Sequence, residues 1–218
     1  MALNEELSLL FERFKEHTPD AIKSPVLDAK AQFEKEFDLT ATIQIGDRLP
    51  DFSMRDSTGQ VVASSHLLQR GPLVITFYRG SWCQFCNPAL SALQKHLDDF
   101  KTRGVTLVAI SPEVPTYSSL TAARNDLHFP ILSDPQNQFA RRLGLINTQL
   151  KGLRTLVETF GNKPTEHNED DSLEVPVAAT LLVDRDGIVR NRFVDPDFTK
   201  RVEPLTVLEW IDALKQVE

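Results

Sequence analysis

Residues 77–88 read FYRGSWCQFCNP, and they lie where a strand passes into a helix. The preceding run at 73–77, LVITF, is apolar and β-branched, which indicates a buried strand. Leu90, Leu93 and Leu97 then follow at helical spacing, which predicts a helix behind the turn. A buried strand that passes directly into a helix is typical of an α/β fold.

The chain has two cysteines, Cys83 and Cys86, and both lie in this turn. Backbone N–H groups and the dipole at a helix N-terminus stabilise a thiolate, which is the reactive form of cysteine. Two cysteines separated by two residues can close a small disulfide and open it again. A C-x-x-C pair in a chain without other cysteines therefore indicates a redox pair.

A zinc site is one alternative for this pair. Structural zinc needs four ligands, usually from two such pairs, and this chain has one pair. The nearest histidine, His96, lies on the predicted helix in a register that does not bring it back to the cysteines. A metal shared across a dimer, or two inert buried cysteines that pack as small hydrophobic residues, are the remaining alternatives. We expect neither a metal nor a cofactor.

The composition of the 218 residues fits one domain with an ample core, since 41% are hydrophobic and 25% are charged. The net charge of −7 argues against a nucleic-acid or anionic-membrane partner. No apolar run approaches the ~20 residues of a membrane span. Residues 1–15 lack the basic start and apolar middle of a secretory signal. We therefore expect a cytoplasmic protein.

Two amphipathic helices are predicted before residue 45, over residues 3–16 and 26–37. The first carries Leu7 and Phe11 on its apolar face, and the second carries Phe33. We assign residues 1–44 to an N-terminal helical extension. We expect it to pack on the domain that follows, with a dimer-forming arm as the alternative.

Strands and helices alternate through residues 45–218. Residues 105–110 form a continuous apolar run, which predicts a central parallel strand. Residues 179–183 and 188–194 flank a turn and predict an antiparallel hairpin. A terminal helix is predicted to begin at Pro204. This order predicts a thioredoxin-type α/β sandwich formed by one domain over residues 45–218.

Residues 147–174 have the least regular pattern. Apolar residues at helical spacing predict one helix here: Leu150, Leu153, Leu156, Val157 and Phe160. Acidic residues cluster behind it: Glu166, Glu169, Asp170, Asp171 and Glu174. This cluster lacks the spacing of a calcium-binding loop, so we expect a solvated loop.

Residues 73–94 resemble the active-site segment of the AhpC/TSA (peroxiredoxin-like) branch of the thioredoxin superfamily. They are similar to the subgroup with an aromatic-Tyr-Arg-Gly-x-Trp-Cys-x-x-Cys-Asn motif. The similarity continues through GDRLPDF (46–52), ISPE (110–113), FPILSD (129–134), ATLLVDRDG (179–187) and VDPD (194–197). It covers residues 45–215, and it implies a thioredoxin-like three-layer sandwich with thiol-dependent oxidoreductase activity.

The resemblance leaves two orders of attack open. In thioredoxin-like proteins the first cysteine of C-x-x-C attacks, which is Cys83 here, and Cys86 resolves. Typical peroxiredoxins carry Phe-Tyr-Pro and then Thr-x-x-Cys. A gapless match sets Arg79 at the proline, Cys83 at the threonine and Cys86 at the peroxidatic cysteine. In either order one thiolate attacks and the second cysteine closes the disulfide.

The same match predicts that some family features are missing. The family's distant arginine falls on Ala178, where thioredoxin-like proteins carry the proline of a cis bond facing the cysteines. Ala178 supplies neither group, and Pro176 lies two residues away. Cys83 also lacks the hydroxyl with which the family's threonine helps to orient the peroxide. We therefore expect weakened peroxide activation by a thiolate that still reacts.

Three residues are predicted to support the cysteines. Arg79 is the basic residue nearest to them in sequence, and it either lowers a cysteine pKa or ties the loop together through hydrogen bonds. Trp82 precedes Cys83 as in thioredoxins and is expected to pack beside the disulfide, with simple core packing as the alternative. The resemblance also points to Thr180, whose backbone is expected to face the cysteines.

Together these features predict a cytoplasmic thiol peroxidase of peroxiredoxin type. It would reduce hydrogen peroxide or organic hydroperoxides through a Cys83–Cys86 redox disulfide, recycled by thioredoxin or a small thiol. We expect no nucleic-acid or membrane partner, and a homodimer is left open. The alternatives are a thioredoxin-like protein-disulfide reductase and a non-catalytic redox-sensing module.

Overall fold

A seven-stranded mixed sheet forms the centre of the protein. The computed structural model describes residues 1–154, 157 and 163–214. Its strands are β1 (Ser53–Asp56), β2 (Val61–Ala63), β3 (Leu73–Phe77), β4 (Thr106–Ser111), β5 (Ile131–Ser133), β6 (Ile146–Asn147), β7 (Val175–Pro176), β8 (Ala178–Val183) and β9 (Val189–Asp195). The order across the main sheet is β2-β1-β5-β4-β3-β8-β9, and β6 pairs with β7 separately.

Helices cover both faces of the main sheet. They are α1 (Leu3–His17), α2 (Asp20–Glu36), α3 (Ser64–Arg70), α4 (Cys86–Lys95), α5 (Leu97–Thr102), α6 (Pro115–Arg124), α7 (Gln138–Arg142), α8 (Pro164–Asn168) and α9 (Pro204–Leu214). Side chains of β3 alternate between two apolar clusters: Val74 joins the cluster with α4 and α9, whereas Ile75 joins the cluster with α3 and α7. The predicted three-layer α/β sandwich is therefore confirmed.

Strand β3 places the cysteine turn at the middle of the sheet. All of its residues are buried, and it pairs in parallel with β4 and antiparallel with β8. The apolar runs correctly predicted these buried strands, and the hairpin of β8 and β9 is also confirmed. Phe77, the last residue of β3, lies opposite Ile110 and Ala179, so the following turn leaves the sheet beside the end of β4.

The spacing behind the cysteines predicts one helix, but the structure has two. α4 ends at Lys95, His96 leaves the helical conformation with ψ of 11°, and α5 begins at Leu97. Nδ1 of His96 lies 2.9 Å from Oδ2 of Asp99.

Among the described residues, no group of three or more His, Cys, Asp or Glu side chains is placed to hold a metal ion.

The N-terminal extension packs on the domain through α1. Leu3 and Leu7 of α1 are 5% and 0% exposed, and they belong to the same apolar cluster as α4. α2 is less buried, and Gln149 Nε2 donates a hydrogen bond to the carbonyl of Ala29 at 2.8 Å. Packing on the domain is thus confirmed for α1, while the division at residue 45 stays a prediction.

No helix in the described parts of the chain has the length and apolarity needed to cross a membrane.

The segment predicted as one helix within residues 147–160 is only partly described. Residues 149–153 form a short 3-10 helix behind β6. Leu156 and Phe160, which complete the predicted apolar face, lie outside the described residues. The predicted helix is therefore confirmed for residues 149–153, where it takes the tighter 3-10 form.

The acidic cluster is not uniformly solvated. Glu174 is 8% exposed. It forms ion pairs with Arg141 and, at 2.8 Å, with Lys151. The prediction of a solvated loop is therefore wrong for Glu174, because cations from two neighbouring segments compensate its buried charge.

Candidate active site

The turn between β3 and α4 carries both cysteines. β3 ends at Phe77 and α4 begins at Cys86, so the predicted arrangement of strand, turn and helix is confirmed. Cys83 and Cys86 are free thiols that are 1% and 0% exposed. The backbone N–H of Cys86 donates to the carbonyl of Cys83 at 3.0 Å, which ties both cysteines into one turn.

Gly80 leaves room in this turn for the indole of Trp82. Its φ of +145° favours glycine, and a Cβ at this position would lie 2.5 Å from Nε1 of Trp82. Trp82 is half-buried and packs against the apolar cluster that contains both cysteines. The predicted packing of Trp82 beside the pair agrees with this position, and a role beyond packing stays a prediction.

Arg79 contacts Cys83 through two nitrogens. Its Nε and Nη2 lie 3.4 and 3.2 Å from Sγ of Cys83. The guanidinium lies over the ring of Phe198, with its carbon 4.6 Å from the centroid, and 5.4 Å from that of Trp82. These contacts hold the N–H donors of the guanidinium against the sulfur. The geometry is therefore compatible with both roles considered for Arg79, lowering a cysteine pKa and tying the loop together.

Arg201 contacts the other cysteine. Its Nη2 lies 3.3 Å from Sγ of Cys86, and the side chain is buried. Sequence reasoning missed this residue because it lies in an irregular segment before α9, with no motif or periodicity to mark it. Each sulfur thus contacts one guanidinium group, Cys83 that of Arg79 and Cys86 that of Arg201.

These charges favour a thiolate on Cys86. Burial opposes a charged sulfur, but the hydrogen bond from the Cys83 thiol and the charges of Arg201 and Arg79 outweigh it and hold the pKa of Cys86 well below that of a free thiol. Burial and the same hydrogen bond raise the pKa of Cys83, although Arg79 opposes the rise. Because α4 begins at Cys86, its dipole also favours the thiolate. Of the two cysteines, Cys86 is therefore the one whose surroundings favour the thiolate.

A second polar cluster holds the turn from the side of β4. Oγ of Ser81 donates to Oε1 of Glu113 at 2.7 Å, and Nδ1 of His167 lies 3.0 Å from the same oxygen. Glu113 is 0% exposed, and the ring of Tyr117 stacks on His167 with centroids 3.8 Å apart. Sequence analysis did not identify this cluster, although a charged residue two positions after a buried strand was a usable signal.

Cys83 lines a cavity of about 410 Å³, whereas the fully buried Cys86 does not. The other walls come from the turn, from the N-terminal extension, and from Gln149, Leu150, Leu153, Val157 and Phe198. The other turn residues in this wall are Arg79, Trp82, Gln84 and Phe85. A small molecule in the cavity would therefore contact Cys83 rather than Cys86.

Comparison with known proteins gives a family match over most of the chain. Residues 45–192 match the model of the AhpC/TSA family. The chain belongs to the AhpC/TSA family. This membership confirms the predicted family and the predicted enzyme class, a peroxiredoxin-type thiol peroxidase.

Relatives of this AhpC/TSA protein include alkyl hydroperoxide reductase E of Mycobacterium tuberculosis and peroxiredoxin Bcp of Escherichia coli strain K12. The first is 25% identical over 177 residues, which cover 79% of this chain and 96% of the relative. The second is 25% identical over 169 residues, which cover 78% of this chain and 96% of the relative.

Solved structures of peroxiredoxins share the fold of this AhpC/TSA protein. Peroxidoxin BcpB from Mycobacterium tuberculosis has a TM-score of 0.62 at 20% identity, over 79% of this chain and 98% of that chain. Enterococcus faecalis AhpC has a TM-score of 0.63 at 17% identity, over 79% of this chain and 93% of that chain. These likenesses support the thioredoxin-like architecture described above.

In this AhpC/TSA protein a guanidinium reaches the cysteines from an unexpected segment. Ala178 lies in β8 opposite Asp195 and carries no charge, as the sequence match predicts. Pro176 pairs with Ile146 in the small sheet of β6 and β7. Arg201 nevertheless places a positive charge on Cys86. Arg201 thus brings to the pair a positive charge that Ala178 does not supply, while the expectation of weakened peroxide activation stays a prediction.

Thr180 lies in the middle of β8, inside the sheet. Its backbone pairs with Thr76 of β3 and Phe193 of β9. Its Oγ1 lies 3.1 Å from Oγ1 of Thr76. This hydrogen bond links two strands rather than the cysteine turn, so a supporting role of Thr180 at the cysteines stays a prediction.

Proposed function

We propose that this AhpC/TSA protein reduces hydrogen peroxide or an organic hydroperoxide through a Cys83–Cys86 disulfide. In this proposal thioredoxin or a small thiol reduces the disulfide again, in the cytosol. The observation that carries the proposal is the contact of each cysteine with its own arginine, beside a cavity that reaches Cys83. The names of the relatives, an alkyl hydroperoxide reductase and a peroxiredoxin, support the same chemistry.

Cys83 is the cysteine that meets the peroxide in this proposal. The family's spacing from the strand favours Cys86 instead, but Cys86 is fully buried and does not line the cavity. Arg79 lines the cavity and donates toward Sγ of Cys83. Its donors would stabilise the negative charge that develops on the leaving oxygen as the O–O bond breaks.

Cys86 serves first as a base and then as the resolving thiolate. It takes the proton of Cys83, and the Cys83 thiolate attacks the terminal peroxide oxygen. An S–O bond forms, the O–O bond breaks, and the leaving oxygen takes the proton from Cys86 to depart as an alcohol or water. The Cys86 thiolate then attacks the sulfur of the Cys83 sulfenic acid, the disulfide forms, and the hydroxide released is protonated by solvent.

The test follows the reaction of the fully reduced protein with hydrogen peroxide by tryptophan fluorescence in a stopped-flow instrument. Cys83→Ser and Cys86→Ser variants are measured beside the wild-type protein. We expect a wild-type rate far above that of a free thiol and no reaction in Cys83→Ser. Cys86→Ser should stop at a sulfenic acid on Cys83, which dimedone and mass spectrometry detect.

Two other results would redirect the proposal. A sulfenic acid on Cys86 in the Cys83→Ser variant, with an inert Cys86→Ser variant, would reverse the order of attack. A wild-type rate equal to that of a free thiol would overturn the peroxidase proposal. Rapid reduction of insulin disulfides in that case would identify the protein as a disulfide reductase.

A further inference from the structure

The cavity at Cys83 is completed by the N-terminal extension. Phe14 of α1 and Ile22 and Val26 of α2 form the wall that faces the cysteine turn. We call this cavity the α1–α2 chamber. The family match begins at residue 45, so this wall comes from a part of the chain that the family model does not cover.

The α1–α2 chamber is built for an apolar ligand. Aromatic rings contribute to its walls, among them those of Phe14, Trp82 and Phe198. Arg79 is the charged residue among those that line it, and its guanidinium is engaged with Cys83. A pocket with mainly apolar walls and a few polar groups at one end is typical of a site that orients a small molecule.

The chamber also has a suitable size. Its volume of about 410 Å³ falls in the range of roughly 300–1,000 Å³ that is common for small-molecule pockets. Hydrogen peroxide has no apolar surface, so it gains nothing from these walls. A hydroperoxide with an aromatic ring or an alkyl chain would bury that part in the chamber, and the free energy gained rises with the apolar area buried.

We propose that the α1–α2 chamber binds the apolar body of a bulky hydroperoxide and directs its peroxide group to Cys83. Phe14, Ile22 and Val26 then determine the preference of the enzyme for such substrates over hydrogen peroxide. This inference rests on the peroxidase activity proposed above. The alcohol formed when the O–O bond breaks keeps the same apolar body, so it is a ligand of the same chamber.

The test compares the second-order rate constants of the intact reduced protein for cumene hydroperoxide and for hydrogen peroxide. Val26→Trp fills the chamber, and we expect it to lower the ratio of the two constants by about tenfold or more. Ala21→Trp is the matched control, because Ala21 is an exposed residue of the same helix. We expect the control to keep the ratio of the wild-type protein.

A binding measurement separates this inference from the peroxidase proposal. Cumyl alcohol, the product from cumene hydroperoxide, is titrated into the reduced protein in a calorimeter. We expect saturable binding by the wild-type protein and by Ala21→Trp, and its loss in Val26→Trp. If no peroxide reacts faster than with a free thiol, the peroxidase proposal fails, while this titration still decides whether the chamber takes an apolar ligand.

Equal rate ratios in Val26→Trp and Ala21→Trp would overturn the inference, as would the absence of saturable alcohol binding by the wild-type protein. Ile22→Phe makes a smaller change in the same wall. It replaces Val26→Trp if circular dichroism shows that Val26→Trp does not fold. Its rate ratio is then compared with that of Ala21→Trp, and its binding of cumyl alcohol is measured in the same way.

Discussion

Nη2 of Arg201 lies 3.3 Å from Sγ of Cys86, although 115 residues separate them in the chain. Arg201 also donates to the carbonyls of Phe198 and Lys200, at 2.8 and 2.6 Å, so its guanidinium is fixed in place. The side chain is 7% exposed, and a charge that water screens so little acts strongly on a neighbouring sulfur. The reactivity of the C-x-x-C pair therefore depends on a segment far from the motif.

Replacing Arg201 by methionine should raise the pKa of Cys86, because the thiolate loses a positive charge and a hydrogen bond. Disulfide closure should then slow by about tenfold at neutral pH, since less Cys86 is ionised. The ultraviolet absorbance of the thiolate, followed against pH, measures the first effect, and stopped-flow fluorescence measures the second. Arg201→Lys keeps the charge and should recover part of both. An unchanged thiolate titration in Arg201→Met would contradict this role.

Asn4 positions Arg201 from the start of α1. Nδ2 of Asn4 donates to the carbonyl of Arg201 at 2.7 Å, and the N–H of Arg201 donates to Oδ1 of Asn4 at 3.1 Å. Asn4→Ala should therefore shift the thiolate titration of Cys86 in the same direction as Arg201→Met, but by less. Leu9→Ala, a change of an exposed residue on the same helix, should leave the titration unchanged. A merely structural role for Asn4 would lower stability without moving the titration.

Glu113→Gln should destabilise the protein, because it removes a buried carboxylate that accepts from Ser81 and pairs with His167. A buried hydrogen-bonding group left poorly matched costs about 1–3 kcal/mol, which urea unfolding can measure. Glu209→Gln is the control, since Glu209 is exposed on α9 and should matter little. Equal unfolding midpoints for the two variants would argue against an anchoring role for the buried cluster.

Glu174 should make the stability of the fold depend on acid pH. Burial opposes its ionisation, but hydrogen bonds from Lys151 and Arg141 outweigh it and hold the pKa of Glu174 below its usual range. A carboxyl with a lower pKa in the folded than in the unfolded state stabilises the fold above the unfolded pKa. This stabilisation is lost as the pH falls through the folded pKa.

The corresponding variant is Glu174→Gln. We expect its free energy of unfolding to lie below that of the wild-type protein at pH ~7 and to approach it as the pH falls through the lowered pKa of Glu174, where the wild-type carboxyl becomes protonated. Urea unfolding at several pH values measures this difference. A difference that stays constant with pH would show that the ion pairs of Glu174 contribute nothing to stability.

The sequence by itself determined the strand, turn and helix around Cys83 and Cys86, together with the buried strands and the hairpin. These features follow from hydrophobic spacing and turn residues, which act between neighbours in the chain. The same local reasoning gave one helix where His96 divides α4 from α5, because apolar spacing continues across the break. It also placed Glu174 in a solvated loop, since its cationic partners come from other segments.

Only the tertiary structure decided what surrounds the two sulfurs. Three contacts join segments that are far apart in sequence. Arg201 contacts Cys86, Glu113 pairs with His167, and Val26 lines the α1–α2 chamber beside Cys83. A single arginine or glutamate has no periodicity, so nothing in its neighbours tells where it will lie. Its position is fixed when helices and strands pack, because burial of their apolar faces brings these side chains to the cysteines.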